Sequence, residues 1–146
     1  MKKIIIYVDG GSRNNPGPSA IGVVFYNERG EVLKEYSECL GVATNNEAEY
    51  QAAISSLKKF KQIFGKELAK KTEIEIRSDS ELMVKQIQGE YKIMDLKMQS
   101  LFIEVWNLKL DFKAVKFKLI PREKNKEADR LVNEALDMSE RSQKLI

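Results

Sequence analysis

With 146 residues, 42% hydrophobic and 32% charged, the chain has the size and composition of one globular domain with a substantial core. Its 25 basic and 22 acidic residues leave a net charge of only +3; no apolar run approaches the ~18 residues of a membrane span, and the roughly five apolar residues after Lys2-Lys3 are too few for a signal peptide. There is no histidine and one cysteine, Cys39, which excludes an intrachain disulfide, Ser-His-Asp or Cys-His machinery and a histidine zinc site. Cys39 itself reads as a strand packing residue, and a reducing, cytoplasmic setting is expected. Any metal must be held by oxygen ligands, which favours Mg²⁺ or Mn²⁺.

The first element is Ile4-Ile5-Ile6-Tyr7-Val8, a β-branched and aromatic run expected to be a central strand buried on both faces. It ends in Asp9, and Gly10-Gly11 then predicts a sharp turn into the polar loop Ser12-Arg13-Asn14-Asn15-Pro16-Gly17. Strands follow over 20–26 and 31–40, separated by the turn Asn27-Glu28-Arg29-Gly30, so the first three strands form an antiparallel meander. A helix opens near 45, with Asn45 or Asn46 as its N-cap. Glu49, Ala53, Leu57 and Phe60 share one helical stripe, which places Glu49 on the sheet-facing side. A capping-turn glutamate is the plainer explanation for this residue, but its place on the apolar stripe favours a functional one.

The fourth strand, 74–79, again ends in an acid, Asp79. Ser78 or Ser80 can cap the helix 81–88 that follows, and Gly89 stops it. A helix over 96–108 should bury Leu101, Val105, Leu108 and Trp106. The fifth strand spans 114–120. Asn125 caps a last helix with Asp129 in its second turn, and the polar tail from Met138 should fray. The order βββαβααβα predicts an α/β fold, a five-stranded mixed sheet flanked by helices in one domain over 1–138, with 139–146 as tail. Sites in such sheets form where strands end and helices begin. Asp9, Glu49, Asp79 and Asp129 all occupy such positions.

Four clustered carboxylates repel one another unless cations bind. Two divalent ions about 4 Å apart would relieve this and would support an in-line phosphodiester displacement with no side-chain nucleophile. Two basic groups, Lys58 to Lys71 and Lys113 to Arg130, are either a solvated surface or the footprint of a polyanion. Gly10-Gly11 is not followed by Gly-Lys-Ser/Thr, so a nucleotide P-loop is excluded.

Four segments resemble the type 1 ribonuclease H family in the family's order. They are Tyr-Val-Asp-Gly-Gly-Ser-Arg-Asn-Asn-Pro-Gly (7–17), Thr-Asn-Asn-Glu-Ala-Glu-Tyr (44–50), Ser-Asp-Ser (78–80) and Pro-Arg-Glu-Lys-Asn-Lys-Glu-Ala-Asp (121–129). Each is weak alone and together they are specific. The resemblance implies the ribonuclease H-like fold and hydrolysis of the RNA strand of an RNA/DNA hybrid, leaving 5′-phosphate and 3′-hydroxyl ends. It implies two Mg²⁺ ions, with Mn²⁺ as a substitute. Asp9 would bridge both ions, Glu49 and Asp79 would hold one side, and Asp129 the other. Gly11, Asn15, Thr44 and Asn45 match positions that touch the hybrid, where the 2′-OH separates RNA from DNA.

Many members carry a histidine before the last acid. Here Arg122 stands in that loop, either as its substitute or as a surface arginine paired with Glu123 or Glu127. The segment 89–113 is too short for the basic extra helix of other members, and no separate N-terminal hybrid-binding domain is expected. A monomer without membrane association is expected. Rival readings are a same-fold nuclease that also acts on double-stranded RNA or RNA-DNA junctions, and a non-catalytic nucleic-acid-binding module.

Overall fold

The computed structural model describes residues 2–144. Three strands come first: β1 (Lys3–Ser12), β2 (Gly17–Tyr26) and β3 (Val32–Ala43). Two helices follow, α1 (Asn45–Phe64) and α2 (Lys66–Lys71), then β4 (Glu73–Ser78), α3 (Glu81–Ile87), α4 (Leu96–Lys109) and β5 (Ala114–Leu119). A 3-10 turn (Arg122–Lys124) leads into α5 (Lys126–Lys144). The strands form one mixed sheet in the order β3-β2-β1-β4-β5, in which β1 pairs antiparallel with β2 and parallel with β4. This is the five-stranded mixed α/β arrangement expected from the sequence, with α2 added. Gly65, at φ +88°, ends α1, and the six residues of α2 are too few and too polar to show a helical period.

Ile4, Ile6 and Val8 of β1 are buried against α1 together with Ile21, Val23 and Phe25 of β2 and Ile74 and Ile76 of β4. Helices α3 and α4 complete this layer, with Met83, Met98, Leu101 and Val105 in the same core. The opposite face is only partly covered. There α5 packs across β1, β2 and β3, and Val132, Ala135 and Leu136 meet Ala20. Ile5 and Tyr7 therefore stay half-buried, so β1 is sealed on one face rather than both.

Several expectations change. The chain does not turn at Gly10-Gly11: β1 stays paired to β2 through Ser12. A Cβ on Gly10 would overlap the Ala48 carbonyl, so this glycine admits the backbone of α1 rather than bending β1. Gly22 serves the other face in the same way, where a Cβ would overlap the Ala128 carbonyl of α5. Trp106 is 54% exposed on the outer side of α4; it stacks on Phe102 and lies beneath Lys109. Met98, Leu101, Val105 and Leu108 fill the inner face instead. The fraying expected from Met138 does not occur, since α5 continues to Lys144 and Glu140 is bonded to Arg13. The last two residues of that tail lie outside the described residues.

Candidate active site

Parallel pairing of β1 with β4 stops at Tyr7 and Arg77. Asp9 and Asp79 each lie two residues further on, so they emerge side by side at the ends of adjacent parallel strands. Ser80 then caps α3 by accepting from the Met83 amide (3.2 Å), which fixes the chain beyond Asp79. Glu49 comes from the other direction, in the opening part of α1. The close approach at Gly10 lets the Gly10 N–H donate to Glu49 Oε1 at 2.6 Å, which aims that carboxylate at Asp9. Asp9, Glu49 and Asp79 offer oxygens that all lie within 4.8 Å of one another.

Asp129 sits in the first turn of α5, not the second, and lines the same cleft of about 300 Å³. Its carboxylate raises the proton affinity of Asp9 through both charge and hydrogen bonding. Asp129 is exposed, whereas Asp9 and Glu49 are only 7% and 8% exposed. Burial, and then the charges of Asp79 and Asp129, push Asp9 up to about 8. Burial also raises Glu49 well above the ordinary carboxylate range, reinforced by Asp9 and Asp79. Asp79 is raised by burial as well, with Arg122 opposing the shift.

Arg122 is 90% exposed, and its Nε lies 4.0 Å from Asp79 Oδ2. It has no ion pair with Glu123 or Glu127 among the described residues, so the surface pairing considered for it is not formed. One solvated guanidinium at that distance is a weak counter-charge. Two buried carboxylates and a half-buried third with no better cation, an all-oxygen donor set and raised proton affinities fit a hard divalent cation.

The residues expected to touch substrate gather on one rim. Gly11 and Asn45 line the cleft. Asn45 Oδ1 accepts from the Ser12 N–H at 2.8 Å, and Asn15 Oδ1 accepts from the Asn45 N–H at 3.0 Å. Because both amide oxygens face backbone donors, both amide NH₂ groups point away from this lock. Thr44, rather than Asn45 or Asn46, is the N-cap of α1. Its Oγ1 accepts from the Glu47 N–H in a reciprocal capping box, and Lys97 holds Glu47 at 2.7 Å.

Two supporting residues escaped the sequence reading. Asn125 precedes α5 as expected, but its side chain does not cap. It turns inward and donates to the Val8 carbonyl at 2.9 Å, leaving its buried Oδ1 without a partner. That bond ties the start of α5, and so Asp129, to the strand residue before Asp9. Arg13 reaches Glu140 at 2.6 Å and Asp137 at 2.8 Å, tying the substrate-side loop to the far end of α5. Partners more than 120 residues away leave no local signal in the sequence.

Residues 7–135 match the reverse transcriptase-like protein family. The chain is 35% identical over 141 residues to the bifunctional protein Rv2228c of Mycobacterium tuberculosis, covering 96% of this chain but only 37% of that protein. Among solved structures it is similar to LC11-RNase H1, isolated from compost, in complex with an RNA/DNA hybrid, at TM-score 0.89 and 46% identity, covering 93% of this chain and 98% of that one. It is similar to RNase H1 of the archaeon Halobacterium salinarum at TM-score 0.86 and 36% identity, covering 92% and 98%. Matches of this identity along nearly the whole sequence, with the same sheet and helix arrangement, mean that the chain belongs to the type 1 ribonuclease H family.

Proposed function

We propose that the chain is an endonuclease that hydrolyses the RNA strand of RNA/DNA hybrids, leaving 5′-phosphate and 3′-hydroxyl ends. The observation that carries this reading is the convergence of Asp9, Glu49 and Asp79 within 4.8 Å, largely buried beside an open cleft. In this reading Asp9, with Glu49 and Asp79 on one side and Asp129 on the other, would hold two Mg²⁺ ions, for which Mn²⁺ could substitute. Bound divalent ions supply a more acidic water and charge stabilisation at the leaving oxygen. The chain's own part is to hold four acids ready. Burial by β1 and α1 keeps bulk water from Asp9 and Glu49, and the Gly10 N–H fixes the orientation of Glu49. Asp129 is left exposed, facing the space a phosphate would enter.

Specificity in this reading lies on the rim of Gly11, Asn15, Thr44 and Asn45. The free NH₂ groups of Asn15 and Asn45 donate to the sugar oxygens of the RNA strand, and the Thr44 hydroxyl, already an acceptor at its cap, donates to phosphate. Arg122 holds the scissile phosphate or draws the new 5′-phosphate away. A guanidinium offers five donors and no acceptor, so Arg122 acts by charge and hydrogen bonding and not as a base. The reading takes residues 1–138 as the catalytic domain of a cytoplasmic monomer. Among the described residues no helix is long and apolar enough to cross a membrane.

The test is cleavage of end-labelled duplexes with and without Mg²⁺. Cuts confined to the RNA strand of the hybrid, and absent in EDTA, support the reading. Double-stranded RNA, a junction substrate and DNA duplex complete the panel. No metal-dependent cleavage of any duplex would leave a binding module.

A further inference from the structure

The register places a second set of residues on the sheet face that carries Asp9. Asp9 is paired with Gly22, which abuts α5, so Ile5, Tyr7 and Asp9 of β1 all face that side. Glu75 and Arg77 of β4 and Lys116 and Lys118 of β5 share it by register. Helix α5 covers β1 to β3 and begins only at Lys126; Arg77 stays half-buried and Lys116 and Lys118 exposed. A cleft of about 410 Å³ opens here, floored by Ile5, Tyr7 and Tyr26 and walled by Arg77, Lys124 and Lys126. It shares no lining residue with the carboxylate cleft. Yet Tyr7 and Asp9 are successive same-face residues of one strand, about 7 Å apart. The 3-10 turn lies between the two clefts, with Arg122 lining one and Lys124 the other.

The chemistry of this second cleft is an aromatic floor beside unpaired cations. Tyr7 and Tyr26 meet edge to face with centroids 5.3 Å apart. Arg77 braces the pair by donating from Nη1 to Tyr7 Oη at 2.7 Å, and Glu75 holds Arg77 at 2.6 Å. Lys116, Lys118, Lys124 and Lys126 take part in no ion pair among the described residues. The nearby acids are largely engaged: Glu75 by Arg77 and Lys3, Glu127 by Arg130, which leaves Glu28 and Glu123 on the rim. Aromatic rings beside a basic track bind unpaired strands, because every base offers a stacking face and every phosphate a charge. A closed duplex hides its base faces and has no use for the tyrosines.

We propose that this cleft, with the Lys116 and Lys118 sheet face beside it, binds a single-stranded nucleic-acid segment continuing out of the duplex held at the carboxylates. The proposal rests on the hybrid-cleaving reading and adds to it a preference for hybrids that carry an unpaired extension.

The experiment measures binding by fluorescence anisotropy in EDTA, so that no strand is cut. The probes are a blunt hybrid of about 12 base pairs and the same hybrid with an extension of about ten uridines or thymidines on each of its four ends in turn. For the wild-type protein, at least one extended hybrid is expected to bind roughly three- to tenfold more tightly than the blunt one, with a steeper salt dependence. In Lys116→Glu/Lys118→Glu the ratio of extended to blunt affinity should fall to about one. Tyr26→Leu, which keeps apolar bulk, should lower the same ratio. The proposal is overturned if no extension improves wild-type binding, or if the gain survives unchanged in both variants. Blunt-hybrid cleavage in Mg²⁺ is measured separately on the wild type. Its absence would overturn the ribonuclease reading, while the affinity ratio in EDTA would still report on the cleft.

Discussion

Replacing Asp9 by Asn tests the carboxylate cluster as both a catalytic and an energetic unit. Without cations the folded state holds a proton on Asp9 up to about pH 8, whereas the unfolded chain releases it near the ordinary value of 3.8. Between those limits the folded state binds more protons than the unfolded one. The contribution of Asp9 to metal-free stability is therefore fullest below about pH 4 and declines as pH rises, by up to 1.36 kcal/mol per pH unit. Glu49, raised in the same direction, adds to the decline. At pH 7.5 the accumulated cost for Asp9 alone has an upper value of about 5 kcal/mol. Water entering the cleft and side-chain movement reduce it, and about 2 kcal/mol is the expected gain when Asn removes the need to take up that proton on folding, or about 4–8 °C in Tm. Thermal melts in EDTA from pH 5 to 8 should show a falling Tm for the wild type and a flatter, higher curve for Asp9→Asn. Saturating Mg²⁺ should reverse the order, because a cation held at a hundred times its Kd stabilises the folded state by about 2.7 kcal/mol and the variant has lost a shared ligand. Turnover of hybrid should vanish in the variant. Equal melting curves in EDTA, or near wild-type cleavage, would refute the reasoning.

Arg122→Ala should lower the turnover rate by an order of magnitude or more, an effect of about 1.4 kcal/mol, with little change in Tm; Arg122→Lys should recover only part, because a point charge replaces a fork. Unchanged steady-state rates from pH 6 to 9 would leave it an ordinary surface residue. A DNA duplex should resist cleavage, and Asn15→Ala or Asn45→Ala should each weaken hybrid binding by about 1–3 kcal/mol relative to DNA duplex, read as a ratio of Kd values. Equal losses on both duplexes would assign those amides to loop structure alone. Gly10→Ala should cost about 3 kcal/mol or prevent folding, since the new Cβ meets the Ala48 carbonyl and not a movable side chain. A soluble variant with wild-type Tm in denaturation would contradict that close approach.

The four acids were legible because each stands at a place the sequence marks locally. Asp9 and Asp79 follow apolar strands, Glu49 falls on a helical stripe with Ala53, Leu57 and Phe60, and Asp129 falls in the opening turn of a helix announced by Ala128, Leu131, Val132 and Ala135. Periodicity and caps are properties of neighbours in the chain, so they survive without tertiary information. The misread residues share the opposite property. Trp106 looked like core because large aromatics usually bury, but Leu101, Val105 and Leu108 already fill the inner stripe of α4 and leave the indole outside. Asn125 looked like a cap because of its position, and only the nearness of the Val8 carbonyl draws its amide inward. Gly10 looked like a turn because glycine usually bends chains. Its actual partner, Ala48, lies on a helix that the chain reaches only after two further strands. The same contact that makes Gly10 illegible shapes the carboxylate cluster: with any side chain there, α1 would be pushed away from β1, the Gly10 N–H could not reach Glu49, and the carboxylate would lose the bond that aims it at Asp9. What a local reading took for a hinge is the point where two distant elements are brought close enough to share one site.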